Sequence, residues 1–294
     1  MKIRLWLLFG CLCLWVAPLA ALAGPEMDYI EQLPTGCIDW TQGIASAKGT
    51  GLVQDDDTHP DQDRDPRIAL TEASHNLFRT LKRLRMDDRT SVSDLIAGNK
   101  NLQARIEEMA SAAKLVNTTT ISDGNIQVTI ELNLLGGFAQ LMLPPEIRQV
   151  DAIRPLNGSR AGALDTNHHE FRGDQPDIEN QDIYSGLLVD ARNLGATPAM
   201  VPVVRDENGQ EVYGPAYVSR EYAVQNGVCR YIRTCDSCSD LPRIAPNPLR
   251  VKGLRTAARG SCDIVISNAD ASKIRGASSH LEFLKQCRVV IMLD

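Results

Sequence analysis

The sequence predicts an α+β protein built from two units, and three observations carry that prediction. Helical segments with apolar residues every three or four positions occur in both halves. Short runs that alternate apolar and polar residues lie between them, bounded by Gly- and Asn-containing turns. A polar stretch at 148–182, with no apolar period, separates a first unit at 35–147 from a second at 183–294.

The chain opens with Lys2 and Arg4, an apolar run from Leu5 to Leu19, and Ala21-Leu22-Ala23. A basic head, an apolar middle and a small-residue end predict a secretory signal peptide at 1–23, cut after Ala23. The run is short for a membrane-spanning helix. Leu8-Phe9-Gly10-Cys11 offers lipidation at Cys11 as the alternative, although Phe9 is atypical of a lipoprotein box. The expected location is the periplasm or the periplasmic face of the outer membrane. Losing Lys2 and Arg4 takes the net charge from -6 to -8. Mild acidity without a basic stripe argues against nucleic acid and anionic membrane surfaces as partners. Trp6 and Trp15 leave with the signal and aromatics are only 5% of the chain, so the cores must rely on aliphatic residues.

In the first unit, 38–50 reads as a strand with Trp40, Ile44, Ala45 and Ala47, ending at a Gly49/Gly51 turn. An acidic loop at 55–65 follows. Asp65-Pro66 then supplies a helix cap and a first-turn proline. Ala69, Ala73, Leu77, Leu81 and Leu84 give that helix one apolar face. A second helix carries Leu102, Ile106, Met109 and Ala113. Residues 116–121 and 126–134 form a hairpin around Asp123-Gly124-Asn125, and Ile126, Val128, Ile130, Leu132 and Leu134 alternate along its second strand. Helices packed on one face of an antiparallel sheet are the expected layer arrangement.

In the second unit, strands are expected at 184–191, 200–204, 251–254, 264–267 and 289–293. Asp206-Glu207-Asn208-Gly209 turns into Glu211-Val212-Tyr213. Residues 215–226 read as helix ending at Gly227. Residues 229–248 read as a Cys- and Pro-rich loop. Helix at 269–275 and 280–286 joins the last two strands into a closing β-α-β motif.

Gly36-Cys37-Ile38-Asp39-Trp40, the Ala-containing helix 66–85, a second helix, and a Gly-turned hairpin reaching Leu141-Met142-Leu143-Pro144 together resemble a known family. Residues 35–147 look like the bacterial twenty-kilodalton outer-membrane lipoprotein family and the related N-terminal domain of flagellar assembly protein T. The second unit, with Gly186 to Arg192 and Asp206 to Gly209, resembles segments of uncharacterised exported bacterial proteins. This resemblance implies an envelope assembly or accessory protein without known catalysis.

Cys37, Cys229, Cys235, Cys238, Cys262 and Cys287 remain after signal removal, an even number that in an oxidising compartment reads as a disulfide framework of unknown pairing. Cys235-Asp236-Ser237-Cys238 has redox spacing but lies in a loop with a proline-rich exit, so a structural bridge is favoured over a thiol-disulfide active site or a zinc site. Asp61, Asp63 and Asp65 have the oxygen spacing of a calcium loop, with Glu72 at its twelfth position. Pro66 stands where that loop needs glycine. His168-His169-Glu170 lacks metal-chelating spacing. Ser278-Ser279-His280 is local composition, the acidic pairs Asp87-Asp88 and Asp206-Glu207 suit solvated turns, and Gly136-Gly137 has no phosphate-loop lysine. The expectation is a non-enzymatic exported protein without cofactor that binds other envelope proteins, with self-association open. An exported oxidoreductase using Cys235 and Cys238, or a calcium-dependent adhesion module, is the alternative.

Overall fold

The computed structural model describes residues 28–51, 66–121, 125–148, 183–235 and 238–294. The expected signal peptide, Asp61, Asp63, Asp65, Asp123-Gly124, the connector from 149 to 182 and His168-His169 lie outside the described residues. The fold is α+β, with two sheets and helices packed against them.

The first sheet contains β1 (Ile30–Leu33), β2 (Gly36–Asp39), β3 (Ile44–Gly51), β4 (Lys114–Thr120) and β5 (Ile126–Asn133). Its order is β1-β2-β3-β5-β4, antiparallel throughout. The predicted single strand at 38–50 is therefore two. Asp39 Oδ1 accepts the N–H groups of Thr41 (2.9 Å) and Gln42 (2.8 Å), and Gly43 has φ 71°, so the chain reverses between β2 and β3. Helix α1 (Pro66–Lys82) lies across β3 and β5. Its predicted face is fully buried at Ala69, Ala73, Leu77 and Leu81, and Leu84 continues it just past the helix end.

Gly49 is not part of a turn. It lies inside β3 beneath α1, where a Cβ would stand 2.1 Å from the Ala69 carbonyl oxygen and 2.2 Å from the Ala73 nitrogen. Small residues on both sides let helix and strand backbones approach closely. Helix α2 (Val92–Ala97), which the periodicity did not reveal, is started by a reciprocal cap between Ser91 and Asp94. Helix α3 (Lys100–Ser111) buries Ile106 and Ala110, while the expected Ala113 falls beyond its end. A short α4 (Gly137–Met142) buries Phe138, Ala139 and Met142.

The second sheet contains β6 (Gly186–Asp190), β7 (Val204–Arg205), β8 (Glu211–Tyr213), β9 (Arg230–Ile232), β10 (Pro248–Thr256), β11 (Ile264–Ile266) and β12 (Val289–Met292), ordered β8-β7-β11-β10-β6-β12-β9. β10, β6, β12 and β9 run parallel. β6 and β12 are covered on both faces: Leu187, Val189, Val289 and Ile291 join the main core, and Leu188, Val290 and Met292 join a second cluster. Helices α5 (Arg220–Asn226), α6 (Asn268–Arg275) and α7 (Ser278–Lys285) complete the unit.

Four expectations need correction here. The helix expected from 215 starts only at Arg220, and the strand expected at 200–204 is confined to Val204–Arg205. The region read as loop contains β9, whose hydrogen bonds come from a strand distant in sequence. α6 and α7 do not close a β-α-β motif, because β10 and β6 stand between β11 and β12.

The main buried cluster is continuous from Ile38 to Leu293 and draws on both sheets. Thr41 Oγ1 donates to the Tyr231 carbonyl at 2.6 Å, and Gly136 N–H donates to the Val224 carbonyl at 2.8 Å. Met200 and Val201 donate their N–H groups to Arg85 and Met86. The Arg220 guanidinium, at the start of α5, donates to the carbonyls of Gln140, Leu143, Pro144 and Ile147, which satisfies groups left open where α4 ends.

Candidate functional site

Among the described residues, the cysteines divide into one bridge and four thiols. Cys235 and Cys238 are disulfide-bonded with Cα atoms 5.4 Å apart. Cys238 is buried against Leu188, Ile232, Ile244, Val290 and Met292. Cys37, Cys229, Cys262 and Cys287 are free, which departs from the framework implied by their even number. Strand register supplies one reason: Cys37 faces Ser46 across β2 and β3, and its Sγ lies 3.0 Å from that hydroxyl. Burial pushes the Cys229 thiol up to about 12 and the Cys287 thiol up to about 11. Burial and the neighbouring Asp263 push Cys262 still higher. Thiols so far from ionisation are packing groups rather than nucleophiles.

Other predicted site residues have plain structural tasks. The Glu72 carboxylate accepts the Thr50 N–H at the end of β3. His280 is 3% exposed, packs on Tyr184 and Phe283 at ring distances of 5.2 and 5.6 Å, and has Nδ1 3.1 Å from the Lys273 carbonyl. Asp206, expected in a solvated turn, is instead 2% exposed. Its Oδ1 accepts N–H groups of Asn208 and Gln210, and its Oδ2 accepts Arg275 Nη1 at 2.9 Å. Asp87 does form the expected turn, accepting the N–H groups of Arg89 and Thr90. Among the described residues, no three His, Cys, Asp or Glu side chains converge as a metal site, and no helix is long and apolar enough to cross a membrane.

Two features were not visible as sites in the sequence. The first is an open cavity of about 360 Å³ lined by Tyr222, Asn226, Arg230, Pro242, Arg243, Gln286, Cys287 and Arg288. Its arginines come from β9, the loop after it and the residue before β12, so parallel strand pairing brings them together.

The second is the edge of the first sheet at β4, beyond which no strand pairs among the described residues. All seven of its residues are exposed, including Leu115 and Val116, because α1 covers β3 and β5 but not β4. Ile121 N–H donates to the Asn125 carbonyl at 2.9 Å. Counting back through the antiparallel alternation, with Thr120 opposite Ile126 and Thr118 opposite Val128, turns the N–H and C=O groups of Thr118 and Thr120 away from β5. A strand edge with unpaired backbone groups is a template for another strand. β4 carries no proline and a single charge, Lys114, at its start.

Residues 186–294 match a family model described as the second domain of Treponema pallidum Tp0624. The match begins at the first residue of β6 and spans the whole second sheet with α5, α6 and α7. The second unit is similar to that domain. No curated protein matches the chain.

Proposed function

We propose that this chain is a non-enzymatic, exported protein of the bacterial envelope, periplasmic or on the periplasmic face of the outer membrane, that binds other envelope proteins in a flagellar or outer-membrane assembly. The observation that carries the reading is β4, a seven-residue edge strand exposed on both faces, with the backbone groups of Thr118 and Thr120 directed outward. Its partner is an extended segment of another envelope protein, added as a further strand. β4 is held by its ladder to β5, whose Val128 and Ile130 belong to the main buried cluster. The signal-like N-terminus and the resemblance of 35–147 to the lipoprotein and flagellar assembly families support the same reading.

A photo-crosslinking residue at Leu115 in exporting cells tests it. An adduct with an identified envelope protein is expected. No adduct, or an adduct only with a second copy of the chain, overturns it.

A second reading, a thiol-disulfide oxidoreductase, is favoured by the bridge between Cys235 and Cys238. Cys238 is buried and opens a three-residue 3-10 turn rather than an α-helix, so no helix dipole acts on the pair. Unchanged insulin reduction in the Cys235→Ser variant dismisses that reading.

A further inference from the structure

We propose that the cavity bounded by Arg230, Arg243 and Arg288 binds an oxyanion carried on a small soluble organic molecule. Two of the guanidinium groups are fixed by backbone. Arg243 donates through Nε to the Cys287 carbonyl at 2.8 Å, and through its two terminal nitrogens to those of Asn226 and Gly227, each at 2.6 Å. Arg288 donates to the carbonyls of Arg243 and Ala245. Arg230 is different: among the described residues its guanidinium has neither a hydrogen bond nor an ion pair, although the residue is half-buried.

Among the described residues, no carboxylate lines the cavity. Asp28 and Asp39 act on Arg230 only at longer range, and Glu282 is engaged by Gln286 Nε2 at 2.9 Å. Three cations therefore line the cavity, and at Arg230 burial and Arg243 outweigh the attraction of Asp28 and Asp39. A bound anion would relieve that repulsion. Guanidinium forks match carboxylate and phosphate oxygens in pairs, and a charged donor makes such bonds about twice as strong as neutral ones. The volume exceeds that of a bare oxyanion and falls in the range of small-molecule sites. The Tyr222 ring, Pro242 and the Asn226 amide supply an apolar wall and a neutral polar group for the remainder of the ligand.

The test is thermal melting of the full exported chain with inorganic phosphate and with glycerol 3-phosphate, each against sodium chloride of equal ionic strength. Both phosphates should raise the melting temperature where chloride does not, with glycerol 3-phosphate more effective. Arg230→Gln should weaken binding about tenfold or more. Its melting temperature in chloride should not fall, because the Arg230 guanidinium donates no hydrogen bond among the described residues and its charge is opposed by burial and by Arg243. Arg230→Lys, which keeps the charge and loses the fork, should fall between. Arg250→Gln, on an exposed position of β10, should respond as the parent does. Equal shifts in chloride and phosphate, or an undiminished response in Arg230→Gln, overturn the proposal. Binding to vesicles of anionic phospholipid in place of the soluble phosphates overturns the assignment to a small ligand.

Discussion

The indole of Trp40 meets the ring of Tyr231 edge-on, with centroids 5.7 Å apart and planes at 78°. Trp40 belongs to the turn after β2 and Tyr231 to β9, so this contact joins the two sheets. The Tyr231 hydroxyl also accepts the Ala199 N–H at 3.1 Å and donates to the Ala199 carbonyl at 2.9 Å. Tyr231→Ala should cost about 3–5 kcal/mol of stability by emptying a filled core site. Denaturant unfolding followed by Trp40 fluorescence measures this directly. A loss below about 1 kcal/mol would mean that the sheets are held together elsewhere.

Gly49→Ala should also destabilise strongly. The added methyl meets helix backbone at two points, which cannot swing aside as a side chain would. The loss should be about 3 kcal/mol or more, at the upper end for overpacking, read as a fall in the denaturant midpoint with unchanged slope. Gly98, where a Cβ meets nothing within 4 Å, is the control, and Gly98→Ala should be tolerated.

Asp206 ties the β7–β8 turn to the end of α6 through Arg275. Its burial alone would raise its pKa, but Arg275 and the N–H groups of Gln210 and Asn208 outweigh that and hold it below the ordinary 3.8. A carboxylate lowered in the folded state stabilises above its unfolded value, and that contribution disappears as pH falls through the folded value. Stability should therefore drop on the acid side of pH 3.8, and Asp206→Asn should be less stable at neutral pH with a shallower acid slope. Parallel urea titrations from neutral pH into acid check the sign. An identical acid slope in the variant would contradict the pairing.

Alkylation should separate the cysteines by environment. At pH 8 and without reductant, Cys229, Cys262 and Cys287 should resist iodoacetamide in the folded protein, because the thiolate is the reactive form and burial pushes all three upward. Cys37, only partly buried at a strand near the sheet edge, should react first. Cys235 and Cys238 should require reduction. Mass mapping of labelled peptides reads all six positions. Rapid labelling of Cys287 in the native state would contradict the packing described.

What was legible in the sequence was local. The face of α1, the β4–β5 hairpin and the β7–β8 turn follow from periodicities of a few residues, which the chain satisfies before any distant contact forms. The second sheet resisted such reading because β9, β12, β6 and β10 are parallel neighbours joined by long connections, and β9 has only three residues. The same cause hid the cavity, since Arg230, Arg243 and Arg288 share no motif. Cysteine number left the state of Cys37 open between free, bridging the units and pairing between molecules, and only strand register places Ser46 opposite it. Exposure of β4 was hidden as well, since Leu115 and Val116 read as ordinary strand residues and only the placement of α1 leaves them uncovered.

Recognition through β4 is tested most directly by Thr118→Pro. The substitution removes one outward N–H and should leave the ladder to β5 intact, as proline is tolerated on an edge strand. The measurement is the yield of the Leu115 crosslink to its envelope partner, compared between parent and variant at equal export and equal melting temperature. The adduct should be lost in Thr118→Pro and kept in Thr118→Ser. A full yield of adduct from a folded Thr118→Pro protein would contradict strand addition at this edge.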